Sequence, residues 1–244
     1  AGAVEYSLGS LETAETHLKK VLAASPNQPY PRRLLAAALL KRGHVSEAED
    51  TIKPLKPLES EDAATLIVAG EIALAKKNFP QAEQYFAKAA EINPDSAAIR
   101  TELGLARLAQ GNDQAMADLK AGSELDPGNA RPDTLMVLNL LKNRQFDQAL
   151  AAIDRLEKKM PGAPLPYNFR GAALLGKNDA TGARKQFEQA LKISPKYFPA
   201  AANLAQLDIK EGKPQAAKAR FAALLKADPK NLNALLSLAE FEGR

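Results

Sequence analysis

Apolar positions recur every three to four residues along the chain. In 81–92 they are Ala82, Tyr85, Phe86, Ala89, Ala90 and Ile92; in 183–193 they are Ala183, Phe187, Ala190, Leu191 and Ile193. This spacing lines one face of a helix with 3.6 residues per turn. No segment alternates polar and apolar residues long enough to make a strand, so helices are predicted throughout. Prolines set their ends. Ser25-Pro26, Asn93-Pro94, Asp126-Pro127, Met160-Pro161, Ser194-Pro195 and Asp228-Pro229 each close a helix, because proline lacks an amide proton and clashes with the turn before it. Further prolines fall in the first turn of the next helix, at Pro31, Pro132, Pro166 and Pro199, where that proton has no partner anyway. Gly43-His44, Lys77-Asn78, Gly111-Asn112, Asn178-Asp179 and Gly212-Lys213 mark turns in between, and Pro80 and Pro214 open the helices after two of them.

These signals are periodic. From Pro94 the helix-closing prolines step by 33, 34, 34 and 34 residues, and Pro26 lies 68 before Pro94, with Ser60 in the skipped place. Ala14, Ala48, Ala82, Ala115, Ala149, Ala183 and Ala217 keep the same step, apart from a one-residue deletion near Asp113. Four residues after each comes Leu18, Ile52, Phe86, Leu119, Ile153, Phe187 or Phe221. Three series in one register predict stacked helix–turn–helix units, none of which can bury its apolar face alone.

In this register the chain resembles the tetratricopeptide (TPR) repeat. The alanine series falls at position 20 of that repeat, the Leu/Ile/Phe series at 24 and the proline at 32. Position 8, which must be small for the two helices to meet, holds Gly70, Gly104 and Gly171, with Ala36 and Ala205 as substitutes. The resemblance implies an all-α right-handed superhelix, an α-solenoid of antiparallel helix pairs. It divides the chain into a partial unit 1–28, full units 29–62, 63–96, 97–129, 130–163, 164–197 and 198–231, and a final helix 232–244. Unit 29–62 departs from the pattern. Pro54 and Pro57 stand where its second helix should finish, and that helix is expected to stop near Lys53. With no initiator Met, signal segment or polar capping helix, the sequence is expected to be an internal piece of a longer array.

Two stretches carry a closer resemblance. Pro164-Leu-Pro-Tyr-Asn-Phe-Arg-Gly-Ala-Ala-Leu-Leu-Gly-Lys177, and Tyr197-Phe-Pro-Ala-Ala-Ala-Asn-Leu-Ala-Gln-Leu-Asp208 followed by Glu211-Gly-Lys-Pro214, are similar to the TPR lipoproteins of the exosortase (PEP-CTERM) sorting and exopolysaccharide systems of Gram-negative bacteria. That likeness implies a periplasmic or outer-membrane-associated envelope location, with any membrane anchor outside these residues.

Composition narrows the function classes. The 244 residues are 45% hydrophobic, with 13 aromatics and no Cys or Trp. This excludes disulfide scaffolds, Cys-ligated metals and a disordered chain. No window reaches about 18 apolar residues without a charge, so no membrane span is predicted. Abundant Ala and Leu suit thin helix pairs rather than one deep core.

Candidate chemistry is sparse. Gly171-Ala-Ala-Leu-Leu-Gly176-Lys177-Asn178 mimics a nucleotide loop but lacks the hydroxyl residue and the preceding strand. Its amides are expected to be spent within a helix. His17 and His44 sit at different repeat positions, both expected to face solvent, with no companion ligands for a metal. Glu49-Asp50 and Glu61-Asp62 are sequence neighbours, which do not face each other on a helix. No cofactor, metal or catalytic group is expected, and the chain reads as non-catalytic.

Two binding surfaces remain. Charge is uneven: residues 1–150 hold 17 basic against 20 acidic side chains, and 151–244 hold 16 against 9. Lys158, Lys192 and Lys226 are spaced by 34, as are Lys196 and Lys230, which predicts two basic rows along one edge. The rows suit either helix-end electrostatics or a polyanion such as acidic polysaccharide. The lack of interleaved aromatics argues against nucleic acid.

The second surface follows from the TPR resemblance, which places positions 2, 5, 9 and 12 of each first helix on a concave groove. Positions 5 and 9 are Arg33/Ala37, Ile67/Glu71, Thr101/Leu105, Thr134/Leu138, Asn168/Ala172 and Ala202/Gln206. Position 12 is Leu40, Leu74, Leu108, Leu141, Leu175 or Ile209, which either fills space between helices or forms an apolar trough for a peptide or partner helix. The paired Lys and Asn of carboxylate-clamping TPR modules are absent, and Asn203 at position 6 stands alone. The expectation is a protein-interaction scaffold. Its alternatives are a polyanion-binding solenoid and a regulatory array attached to an enzyme domain beyond these residues.

Overall fold

The computed structural model describes residues 1–242, so 243 and 244 of the expected final helix lie outside the described residues. The described chain is all helix and turn, with no strand, and divides into two compact units. The first, Ala1–Asp126, contains α1 (Gly2–Ser7), α2 (Leu11–Ala24), α3 (Pro29–Lys41), α4 (Val45–Ile52), α5 (Ala63–Ala75), α6 (Phe79–Ile92), α7 (Ala97–Gln110) and α8 (Ala115–Leu125). The second, from Pro127 onward, contains α9 (Arg131–Lys142), α10 (Phe146–Lys159), α11 (Pro164–Gly176), α12 (Ala180–Ile193), α13 (Phe198–Lys210), α14 (Pro214–Ala227) and α15 (Leu232–Glu242). Odd-numbered helices from α3 on are the first (A) helices of pairs and even-numbered ones the second (B). Among the described residues no helix is long and apolar enough to cross a membrane.

Both registered series are buried. The position-20 alanines are at most 1% exposed and the position-24 side chains at most 5%. They seed a run of small clusters. Phe86 of α6 packs with Leu66, Ile99 and Leu103 in the first unit; Phe187 of α12 packs with Leu204 and Leu207 in the second. Full burial of each phenylalanine stabilises its neighbourhood by about 1.5–3 kcal/mol. Small residues at position 8 make this geometry fit. A Cβ added to Gly70 would come within 2.6 Å of the Phe86 ring, and one added to Gly104 within 2.7 Å of Leu119. Gly171 meets the Phe187 ring more closely still.

The turn inside each pair has a shared build. A residue with positive φ ends the A helix, and the next amide bonds back five residues, as from Asn78 to Ala73 O at 2.8 Å and from Asp179 to Leu174 O at 2.9 Å. Glycine fills this place at Gly43, Gly111 and Gly212, but Lys77, Arg144 and Asn178 also adopt it, at φ of 58°, 58° and 65°. The 144–145 turn carries no glycine or asparagine, and the sequence reading missed it.

Helix α4 ends at Ile52 with Lys53 as its C-cap, where the prolines place it. Two short 3-10 turns follow, Lys53–Leu55 and Pro57–Glu59, joined at Lys56 with φ 44°. The other B helices from α6 on run 14 residues, save α8 with 11, where the deletion falls.

Candidate functional site

The A-helix positions expected to face a partner divide into packed and presented ones. In the first unit Thr101 is 1% exposed; its hydroxyl donates to Ala97 O at 2.7 Å and lies over Gly122 of α8. Ala37 is buried as well. Neither offers surface to a ligand, which corrects the expectation from position number. A small residue at Gly122 lets α8 sit against α7, and this draws Thr101 into the pair. Arg33 is half-buried and committed to Asp62, the N-cap of α5, with its guanidinium 5.5 Å from the Tyr30 ring centre. Ile67 and Leu105 are half-buried and Glu71 is exposed.

In the second unit Leu138 is 47% exposed on α9, Gln206 is exposed on α13, and Thr134, Ala172 and Ala202 are half-buried. Asn168 is buried and accepts a hydrogen bond at 3.0 Å from Asn203 Nδ2. Asn203 is thus tied to the A helix before it. Positions 5 and 6 of successive A helices, 35 residues apart, meet across the stack. Of the position-12 row, Leu40, Leu74, Leu108, Leu141 and Leu175 are half-buried, several against the core clusters, while Ile209 is 47% exposed. Space-filling describes the first five and exposure the last.

Charged and polar groups between helices follow a register that the sequence reading overlooked. Side chains 27 residues apart pair from a B helix to the next A helix: Glu15 with Arg42, Glu49 with Lys76 at 2.6 Å, Glu83 with Gln110 at 2.7 Å, and Arg184 with Glu211 at 2.8 Å. The sign reverses at the last of these. Deeper carboxylates hold two cations each. Asp118 of α8 meets Arg107 at 2.5 Å and Arg100 at 3.4 Å, and Asp208 of α13 meets Arg184 at 2.7 Å and Arg220 of α14. Burial works to raise the Asp208 carboxyl, but Arg220 and Arg184 outweigh it and hold the group below the usual aspartate range.

Residues 171–176 of the nucleotide-loop mimic lie within α11, with Lys177 as its C-cap and Asn178 in the turn that follows. Gly176 packs on Phe146 and the Lys177 amide bonds Ala173 O at 3.1 Å, so no backbone cradle is open. His44 is the N-cap of α4, exposed, with Nδ1 3.7 Å from Glu47. His17 is half-buried beside Gly2 of α1, more enclosed than expected. Among the described residues no group of three or more His, Cys, Asp or Glu could hold a metal. Beside the α4 break, a cleft of about 300 Å³ is lined by Glu49, Asp50, Ile52, Lys53, Pro57, Gln81 and Tyr85. Lys158, Lys192, Lys196, Lys226 and Lys230 are all exposed.

Stacked helix pairs with small–aromatic contacts at fixed repeat positions define an α-solenoid of helix-turn-helix repeats. Two family models described as tetratricopeptide repeat match the chain, one at residues 6–66 and 174–240, the other at 60–130 and 134–198. The chain belongs to the tetratricopeptide repeat family. Tetratricopeptide repeat protein 34 of Homo sapiens is 28% identical over 193 residues, which is 77% of this chain but 31% of that protein's length. A tetratricopeptide repeat protein from Parabacteroides merdae matches in structure with a TM-score of 0.72 and 15% identity, covering 98% of this chain and 94% of its own. The C-terminal part of a TPR repeat-containing protein from Cytophaga hutchinsonii gives 0.71 and 16%, covering 97% and 98%. YrrB, described as a TPR protein with an unusual peptide-binding site, gives 0.60 and 18%, covering 75% and 95%. At these identities the structural likeness is one of fold.

Proposed function

We propose that this chain is a non-catalytic scaffold that holds a peptide or partner helix against its A helices. The observation that carries the reading is in the second unit: Leu138 of α9 and Ile209 of α13 are exposed apolar side chains, and Gln206 of α13 is an exposed polar one. Apolar anchors with a few fixed polar groups suit an amphipathic or extended peptide. The peptide-binding description of YrrB supports the same use of the fold. The envelope setting, in exosortase-linked sorting or exopolysaccharide assembly, is proposed on the resemblance of 164–177 and 197–214, with a periplasmic or outer-membrane-associated location. A second reading, an acidic polysaccharide held by the C-terminal lysines, draws on their exposure.

Selection from a random peptide display library tests the scaffold. Peptides with apolar anchors are expected, their affinity falling about tenfold or more in Leu138→Glu as an exposed hydrophobic anchor is lost. Affinity should change little between about 50 and 500 mM salt, because apolar contacts are not screened. Selected peptides that bind Leu138→Glu and wild type equally would remove the A-helix face from the function.

A further inference from the structure

The basic rows of the second unit have counterparts of opposite sign in the first. The penultimate residue of each B helix from α6 on is, in order, Glu91, Glu124, Lys158, Lys192 and Lys226. A second row stands one residue before the N-cap of the following A helix. It reads Glu61 and Asp95 in the first unit and Lys196 and Lys230 before α13 and α15. At the same repeat positions, then, unit Ala1–Asp126 is acidic and the unit from Pro127 is basic.

Local helix electrostatics explain only part of this. A cation in the last turn of a helix complements the negative end of its dipole, which accounts for Lys158, Lys192 and Lys226. The same effect opposes Glu91 and Glu124 at the ends of α6 and α8, and it opposes Lys196 and Lys230 beside helix N-termini. These four residues work against their own helices. All nine side chains are exposed. Glu124 has a long 3.8 Å contact with Lys120, and among the described residues the other eight make no ion pair. By contrast Arg107, Arg170, Arg184 and Arg220 are each bound to carboxylates.

We propose that the two edges recognise each other between copies: the lysine rows of the second unit of one molecule dock on the acidic rows of the first unit of another. The occupant of the basic edge is thus a second copy of this chain, selected by complementary charge in matching register. The repeat supplies the match, since both rows step by 33 or 34 residues. Exposed ion pairs are individually weak and screened by salt. Association is therefore expected with a Kd on the order of 0.1 mM at about 20 mM salt, weakening at least about tenfold by 500 mM.

Sedimentation equilibrium of the 244-residue chain at both salt concentrations tests this, with circular dichroism to confirm that each variant keeps its helix content. Lys158→Glu/Lys192→Glu/Lys226→Glu should abolish self-association. Lys142→Glu/Lys185→Glu/Lys210→Glu makes the same change in net charge at exposed sites outside the rows, and should retain it. A chain with Glu61, Glu91, Asp95 and Glu124 changed to Lys should be monomeric alone and should associate when mixed with the Lys158/Lys192/Lys226 triple. Leu138→Glu should still self-associate, which separates this inference from the scaffold reading. A wild-type monomer at low salt, or equal loss in both lysine triples, overturns the proposal. So does a monomer that binds polygalacturonate through Lys158, Lys192 and Lys226, which would assign the edge to an acidic polymer.

Discussion

At Gly171 one missing methyl group sets the distance between two helices. A side chain there would enter the ring of Phe187, which is wholly buried and cannot swing aside. Overpacking of this kind costs about 1–3 kcal/mol, offset by about 1 kcal/mol from the better helix propensity of alanine. Gly171→Ala is expected to lower stability by about 1–2 kcal/mol in urea unfolding, and a smaller partner, Phe187→Leu, should recover part of the loss. Asp208 is the corresponding polar case. Its carboxyl is more acidic folded than unfolded, so it stabilises the fold above the ordinary aspartate pKa of about 4 and stops doing so as pH falls through the depressed native value. Asp208→Asn leaves Arg184 and Arg220 without their shared anion, at a cost of about 2–4 kcal/mol near pH 7. Denaturant midpoints from pH 7 to pH 2 should show the gap from wild type holding to about pH 4 and closing below it; a gap that stays constant to pH 2 would deny the carboxylate this role.

Helix α4 is short because of two side chains rather than its packing. Ala48 and Ile52 are buried like their counterparts in every other B helix, and the departure begins only at the prolines. Pro54→Ala/Pro57→Ala should let α4 run on by one to two turns, because an internal proline is opposed by about 3 kcal/mol and alanine is not. Cα chemical shifts of residues 53–59 would then turn helical. If they keep their present pattern, the buried ring of Pro57 and the Lys88 contact with Leu58 O hold the segment instead. The same contrast runs through the pair turns. Glycines announced three of them, whereas Arg144 was silent, since a fixed stack can hold an arginine in a conformation it avoids on its own.

Across the molecule stability is distributed among neighbouring clusters. Phe86 touches only the helices around it, so Phe86→Ala should cost about 3–5 kcal/mol there and little elsewhere. Amide exchange should accelerate through α5–α7 while α11–α14 stay protected; uniform acceleration would mean one cooperative core. The sequence alone determined the repeat, the helices, the end of α4 and the residues at positions 8, 20 and 24, because all of these follow from local periodicity and from contacts one repeat apart. Tertiary structure decided which repeat positions reach solvent. Thr101 and Asn168 share position 5 yet are withdrawn by different neighbours, Gly122 and Asn203, which lie on other helices. The 27-residue ion pairs were present in the sequence but invisible without the stack, since a charge has meaning only when its partner's distance is known. Burial depends on what packs from outside a segment, and no local pattern records that.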